Sequence, residues 1–191
     1  MNTRLFAIIC VIGSFVAIAD GLRLVGTGHQ DISGYRHLDT IQYITQIVWC
    51  IGILCGLIGL IRLGATGNKP IFRYLAYLPV LGYVIAIIAL FLGLGGLEGP
   101  DNPLGAPGQI LAMAGMLIVG ILVIAAKKWF GWRRFAPMLY ILTIPIGAIL
   151  VILTGLDGVF IMLHALATAV LGYAVIVESS EPVAQLSEAV S

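Results

Sequence analysis

Charge is what this chain has least of. Only 10% of its 191 residues are Asp, Glu, Lys or Arg, while 60% are apolar. A soluble domain has about 25% charged and about 45–50% apolar residues, so the expected surroundings are lipid rather than water. The net charge of +1 gives no reason to expect a nucleic-acid partner. Cysteine is scarce as well. Cys10, Cys50 and Cys55 are odd in number and lie inside apolar runs, which argues against a disulfide framework. They read as small buried hydrophobes.

Other shortages exclude chemistries. No serine stands between Ser33 and Ser179, so a serine intramembrane protease would have no nucleophile there. There is no H-E-x-x-H helix for zinc and no G-x-x-x-x-G-K-S/T loop for phosphate. Asp20 and Asp157 lie near the ends of their apolar runs, too shallow for a paired-aspartate protease. Of the three histidines only His164 falls well inside a run, about 9 Å from its start by helical rise. Bis-histidine ligation of two haems is thereby excluded, and a single haem between His37 and His164 is mismatched in depth. No cofactor or metal is expected, and an enzyme is not the favoured reading.

What the chain does have is length of apolar sequence. Six runs are long enough to span a bilayer, which takes about 20 residues. They lie near 5–24, 41–63, 71–95, 108–126, 136–154 and 158–177. The fold class expected is therefore an all-α membrane protein, a six-transmembrane-helix bundle forming one domain over residues 1–177. Residues 178–191 read as a disordered cytoplasmic tail. Arg4, an apolar core and Ala17-Ile18-Ala19 also fit a cleaved secretory signal. Against cleavage, Gly13, Ala17 and Gly21 form a stripe of the kind that packs membrane helices, and Asp20 projects to the same side.

Eight of the ten basic residues fall on one side of a six-span arrangement; only Arg23 and Arg36 fall on the other. That asymmetry places both termini in the cytoplasm and the chain in the plasma (inner) membrane. Spans three and five both follow a basic loop, carry an early proline (Pro79, Pro137) and end in Gly-Leu-acid-Gly, at Gly96–Gly99 and Gly155–Gly158. Span one ends in Asp20-Gly21. Three related helical hairpins would explain the pattern. The acid is unexpected there, because a carboxylate beside a helix C-terminus opposes the helix dipole. Pro79 and Pro145 predict kinks.

The most informative stretch is Arg36–Cys55, RHLDTIQYITQIVWCIGILC. Asp39 or Thr40 can cap a helix, and Gln42, Thr45, Gln46 and Trp49 then share one face. Lipid cannot hydrogen-bond these groups, so the face must meet protein or water. His164, Thr168 and Gly172 line one face of span six. Asp20, Gln42, Gln46, Asp157, His164 and Thr168 thus form a candidate polar cluster in the outer half, able to hold a ligand or ion. The first expectation for function is an accessory or assembly subunit of a membrane complex, its partners being the bilayer and another membrane protein or a second copy. The alternative is a small transporter or permeation protein for a cation, proton or small solute.

Overall fold

The computed structural model describes residues 2–27, 38–97 and 101–180. Seven α-helices follow one another among them. They are α1 (Thr3–Thr27), α2 (Thr40–Arg62), α3 (Pro70–Leu75), α4 (Leu78–Leu94), α5 (Gly105–Ala126), α6 (Ala136–Thr154) and α7 (Asp157–Glu178), with a 3-10 turn at Gly131–Phe135 before α6. Six stretches are long and apolar enough to cross a membrane: 3–27, 40–62, 70–94, 105–126, 131–154 and 157–178. Residues 28–37, which hold His29 and His37, and the tail from 181 onward lie outside the described residues.

The six long helices form a closed ring. Each packs on the next, α1 on α2, α2 on α4, α4 on α5, α5 on α6 and α6 on α7, and α7 closes the ring on α1. Consecutive members run antiparallel. The ring therefore has a loop face, carrying Thr27, Thr40, Leu94, Gly105 and Asp157, and a basic face, carrying Arg62, Lys69, Lys127 and Arg134. Leu57, Leu60, Met116 and Leu171 are fully buried inside. Phe15, Ile110, Ile152 and Leu153 stand exposed on the outside, which is compatible with helices long and apolar enough to cross a membrane.

The seams close where glycine lets backbones touch. A Cβ on Gly13 would lie 3.0 Å from the Val48 carbonyl oxygen, and one on Gly158 would lie 2.3 Å from that of Gly21. At the α4–α5 seam, a Cβ on Gly82 would meet the Ala112 backbone nitrogen at 2.3 Å, and one on Gly115 would meet Pro79. These are the small-residue stripes of the sequence, now paired. Such close approach adds dispersion contact along each seam.

Three expectations change. α1 does not stop at Asp20-Gly21 but runs to Thr27, because the Asp20 carboxylate finds partners within the bundle. Pro79 does not kink a continuous helix: the chain breaks at Ala76–Tyr77, and Pro79 falls in the first turn of α4. A missing N–H costs nothing there, since first-turn amides have no helical acceptor. Pro137 takes the same place in α6, whereas Pro145 lies inside that helix. Asp157, finally, begins α7 rather than ending α6. Gly155, at φ 69°, closes α6. The dipole consequently favours Asp157 instead of opposing it. The acid–glycine pairs at Asp20 and Asp157 thus occupy different structural places, and Glu98 lies outside the described residues.

Gly82→Ala is expected to destabilise the protein by about 1–3 kcal/mol through overpacking. Gly26→Ala, with nothing within 4 Å, should be neutral or slightly stabilising. Thermal unfolding in mild detergent compares the two.

Candidate functional site

At the start of α2, Asp39 is the N-cap. Its Oδ1 accepts from the Gln42 amide at 2.7 Å, and the Gln42 side-chain Oε1 accepts from the Asp39 amide at 2.8 Å. This reciprocal cap satisfies two amides that the helix leaves open. It also commits Gln42 to the helix end. The side chain is fully buried, with Nε2 left without a hydrogen-bond partner.

Next to the cap lies an ionic tie between α1 and α2. Arg23 donates from Nε to Asp20 Oδ1 at 2.9 Å and from its terminal nitrogens to both oxygens of Asp39, at 2.9 and 3.3 Å. Thr45 donates to the other oxygen of buried Asp20 at 2.9 Å. A buried carboxylate is tolerable only when paired and hydrogen-bonded in this way. Burial alone would raise the Asp39 carboxyl. The Gln42 amide and the Arg23 guanidinium outweigh it and hold the group below its usual value.

Deeper in, the ring does not close on itself. A cavity of about 310 Å³ lies among α2, α4, α5, α6 and α7. It reaches the loop face at Leu38, Asn102 and Gly105 and passes Gln46 and Gln109 on the way in. Its inner walls are aromatic: Tyr43, Trp49, Tyr83, Tyr140 and Phe160, with His164 among them. Among the described residues no Asp, Glu, Lys or Arg lines it. Trp49 meets His164 edge-on at 5.7 Å between ring centroids, Tyr140 lies 4.0 Å from it and Phe160 stacks on it at 5.3 Å. Glycine shapes this wall too. Gly147 leaves room for the Phe160 ring and Gly93 for that of Tyr43. The Tyr83 and Tyr140 hydroxyls bond to each other.

Thr143 ties His164 to α6. Its hydroxyl lies 2.6 Å from the Tyr140 carbonyl oxygen and 2.6 Å from His164 Nδ1. The Trp49 Nε1–H is buried without a hydrogen-bond partner.

The six candidates from the sequence therefore separate. Gln46 and His164 share the cavity. Asp20 belongs to the ionic tie and Gln42 to the cap. Asp157 opens α7 and is not among the lining residues. Thr168 is turned to α1: its hydroxyl donates to the His164 carbonyl at 2.9 Å, and its own carbonyl accepts from Cys10. Sequence reasoning missed Tyr83, Tyr140, Asn102 and Gln109. The available signal was two phenols far inside apolar runs, where a hydroxyl must find a partner. Among the described residues no three His, Cys, Asp or Glu side chains gather as metal ligands. No family model, no curated protein and no solved structure matches this chain.

Two measurements check this account. Asp39→Asn keeps the cap but loses the charge, so at neutral pH it should cost less than about 1 kcal/mol, the range for an exposed pair. The native carboxyl titrates below the unfolded value of about 3.9, so its contribution is complete above that pH and lost as the pH falls below it. Stability curves of the two proteins should converge in acid. Thr143→Val should cost about 1–3 kcal/mol by leaving His164 Nδ1 without its partner, seen as a lower unfolding temperature.

Proposed function

We propose that this chain is a multi-pass protein of the plasma membrane, with both termini in the cytoplasm and the loop face outside, and that it captures or passes a small uncharged solute. What carries the reading is the cavity: about 310 Å³, reaching one face, polar toward its mouth and aromatic within. That is the size and make-up of a small-molecule site. A subunit held only by helix packing has no need of such a space, and every other seam is closed by glycine contacts. Between the two permeation readings, a neutral solute has more support than a cation. Two of the carboxylates that could attract a cation are engaged or displaced, Asp20 by Arg23 and Thr45 and Asp157 by its position at the start of α7. Membrane residence is supported by the six apolar helices, and the orientation by the basic residues gathered on one face.

In a background with Cys10, Cys50 and Cys55 replaced by Ala, Gln46→Cys in intact cells should react with an impermeant maleimide. Adding Met113→Trp, which fills the cavity wall, should protect it. A Gln46→Cys that stays unreactive, or reacts equally with the cavity filled, overturns the reading. For orientation, Thr154→Cys should label from outside and Lys128→Cys only after permeabilisation.

A further inference from the structure

We propose that the cavity also opens sideways, between the loop-face halves of α5 and α6, and that an uncharged single-chain amphiphile enters it there from the surrounding lipid. This rests on the membrane and solute-binding reading above and adds the solute class and its route. Positions seven apart share one helical face. Met138, Pro145 and Ile152 form such a row on α6, and Ala106, Met113 and Gly120 form one on α5. At the basic end the rows meet: a Cβ on Gly120 would lie 3.3 Å from the Met138 Cα. Toward the loop face they part. Ala106, Pro145 and Ile152 are exposed, Ile152 at 82%, and Met113 lines the cavity. Each loop-face half packs elsewhere. Gly108 and Gly115 set α5 against Ala86 and Pro79 of α4, and Gly147 sets α6 against Phe160 of α7. Beyond Thr143, Gly147 is the only buried residue of α6, and among the described residues Tyr140 alone of that helix lines the cavity. α6 therefore leaves the cavity uncovered on this side. Pro145, which donates no helical hydrogen bond, sits where the rows diverge.

The order of groups along the cavity selects the occupant. Gln109 and Gln46 stand about 6 and 9 Å from the loop-face ends of their helices by helical rise, Trp49 and Tyr140 about 14 and 21 Å. Neither glutamine side chain has a hydrogen-bond partner among the described residues. A bilayer leaflet has the same order, polar heads toward water and apolar chains inward. A molecule lying as its lipids lie can slide in without turning over. An amide both donates and accepts, so the two glutamines suit hydroxyl, ester or amide heads alike. They select an uncharged polar head rather than one functional group. A charged head would be buried without a counter-charge, since among the described residues no Asp, Glu, Lys or Arg lines the space. At about 310 Å³ the cavity is at the small end of ligand sites. It takes a head and the first part of a chain, and the rest passes out between Ala106 and Ile152. The flanks of that gap are apolar: Ile110, Ile149 and Leu153 stand 66%, 56% and 75% exposed. A solute dissolved in water has no use for such a side entrance, and one dissolved in the membrane does.

Photocross-linking of the full chain in lipid nanodiscs tests this, with a monoolein analogue carrying a diazirine near its glycerol head as the probe. Adducts mapped by mass spectrometry should fall on the cavity wall, at Gln109, Met113 and Phe160, besides outward positions such as Phe15. Excess monoolein should remove the cavity adducts, whereas oleate, which is anionic, should compete about tenfold more weakly. Met113→Trp should abolish them. Ala106→Trp with Ile152→Trp plugs the gap at two exposed positions. It should lower the cavity adducts severalfold while Gln46→Cys still reacts with the impermeant maleimide; if the pair does not fold, Ile152→Trp alone is read. Adducts confined to outward faces, with Gln46→Cys reactive, overturn the amphiphile and leave the open cavity standing. Cavity adducts undiminished by the plug overturn the side entrance, and equal competition by oleate overturns the uncharged head. Near-complete disulfide dimerisation of Ile152→Cys in the cysteine-free background would put a second copy in the gap and overturn the proposal. An unreactive Gln46→Cys without cavity adducts removes the solute-binding reading itself.

Discussion

Backbone-to-backbone contact at glycine is the constraint on which this structure depends. Gly13 against Gly52, Gly21 against Gly158 and Gly82 against Ala112 bring helix axes closer than any larger side chain would permit. Close backbone approach multiplies dispersion contact, so packing quality helps decide which helices meet. Close seams draw the six helices into a ring in chain order, with the first and last members adjacent. Where the walls carry Tyr43, Trp49, Tyr140 and Phe160 instead, the ring is held open. The cavity is thus the counterpart of the seams: small residues close the circumference, and large rings prop the interior.

Most polar groups inside this ring are matched, while Gln42 Nε2 and Trp49 Nε1 are buried without a partner. Asp20 is matched by Arg23 and Thr45, Asp39 by Arg23 and Gln42, Thr143 by His164 and Tyr140, and Tyr83 by Tyr140. The ionic tie sits near the loop face, where water lowers the cost of its charges. Deeper in, the polar groups are neutral. This gradation separates a structural clamp joining α1 and α2 from a recognition surface made by α2, α4, α5, α6 and α7. His164 links ring stacking to hydrogen bonding in that surface, since its ring stacks on Phe160 and its Nδ1 bonds to Thr143.

Much of the fold was legible in the residues. Runs of apolar sequence gave the six long helices to within a few positions, and the stripes Gly13-Ala17-Gly21 and Gly82-Ala86-Ala89-Gly93 marked helix faces that do pack. Asp39 was legible as one of two possible caps. The site was legible in part. Gln46 and His164 could be picked out because a polar side chain in an apolar run must have a reason to be there. Gln42, Thr168 and Asp20 satisfied the same criterion for other reasons: an amide cap, a bond back to the preceding helical turn and an ion pair. Residue type and spacing do not distinguish these uses, because each depends on a partner that sequence separation does not reveal. Tyr83 and Tyr140, 57 positions apart, show the same gap from the other side.

By itself, then, the sequence determined that six long apolar helices form, their bounds to within a few residues, and which of their ends carry the basic residues. Those are local properties, set by apolar length, capping side chains, proline and charge along a single strand of chain. Only the tertiary structure decided that the first and last helices adjoin, that Asp20 and His164 lie in separate surroundings, and that Trp49 and His164 stand edge to edge. Those outcomes depend on which backbones can touch, and that is fixed by the fit of one helix surface against another rather than by any helix alone.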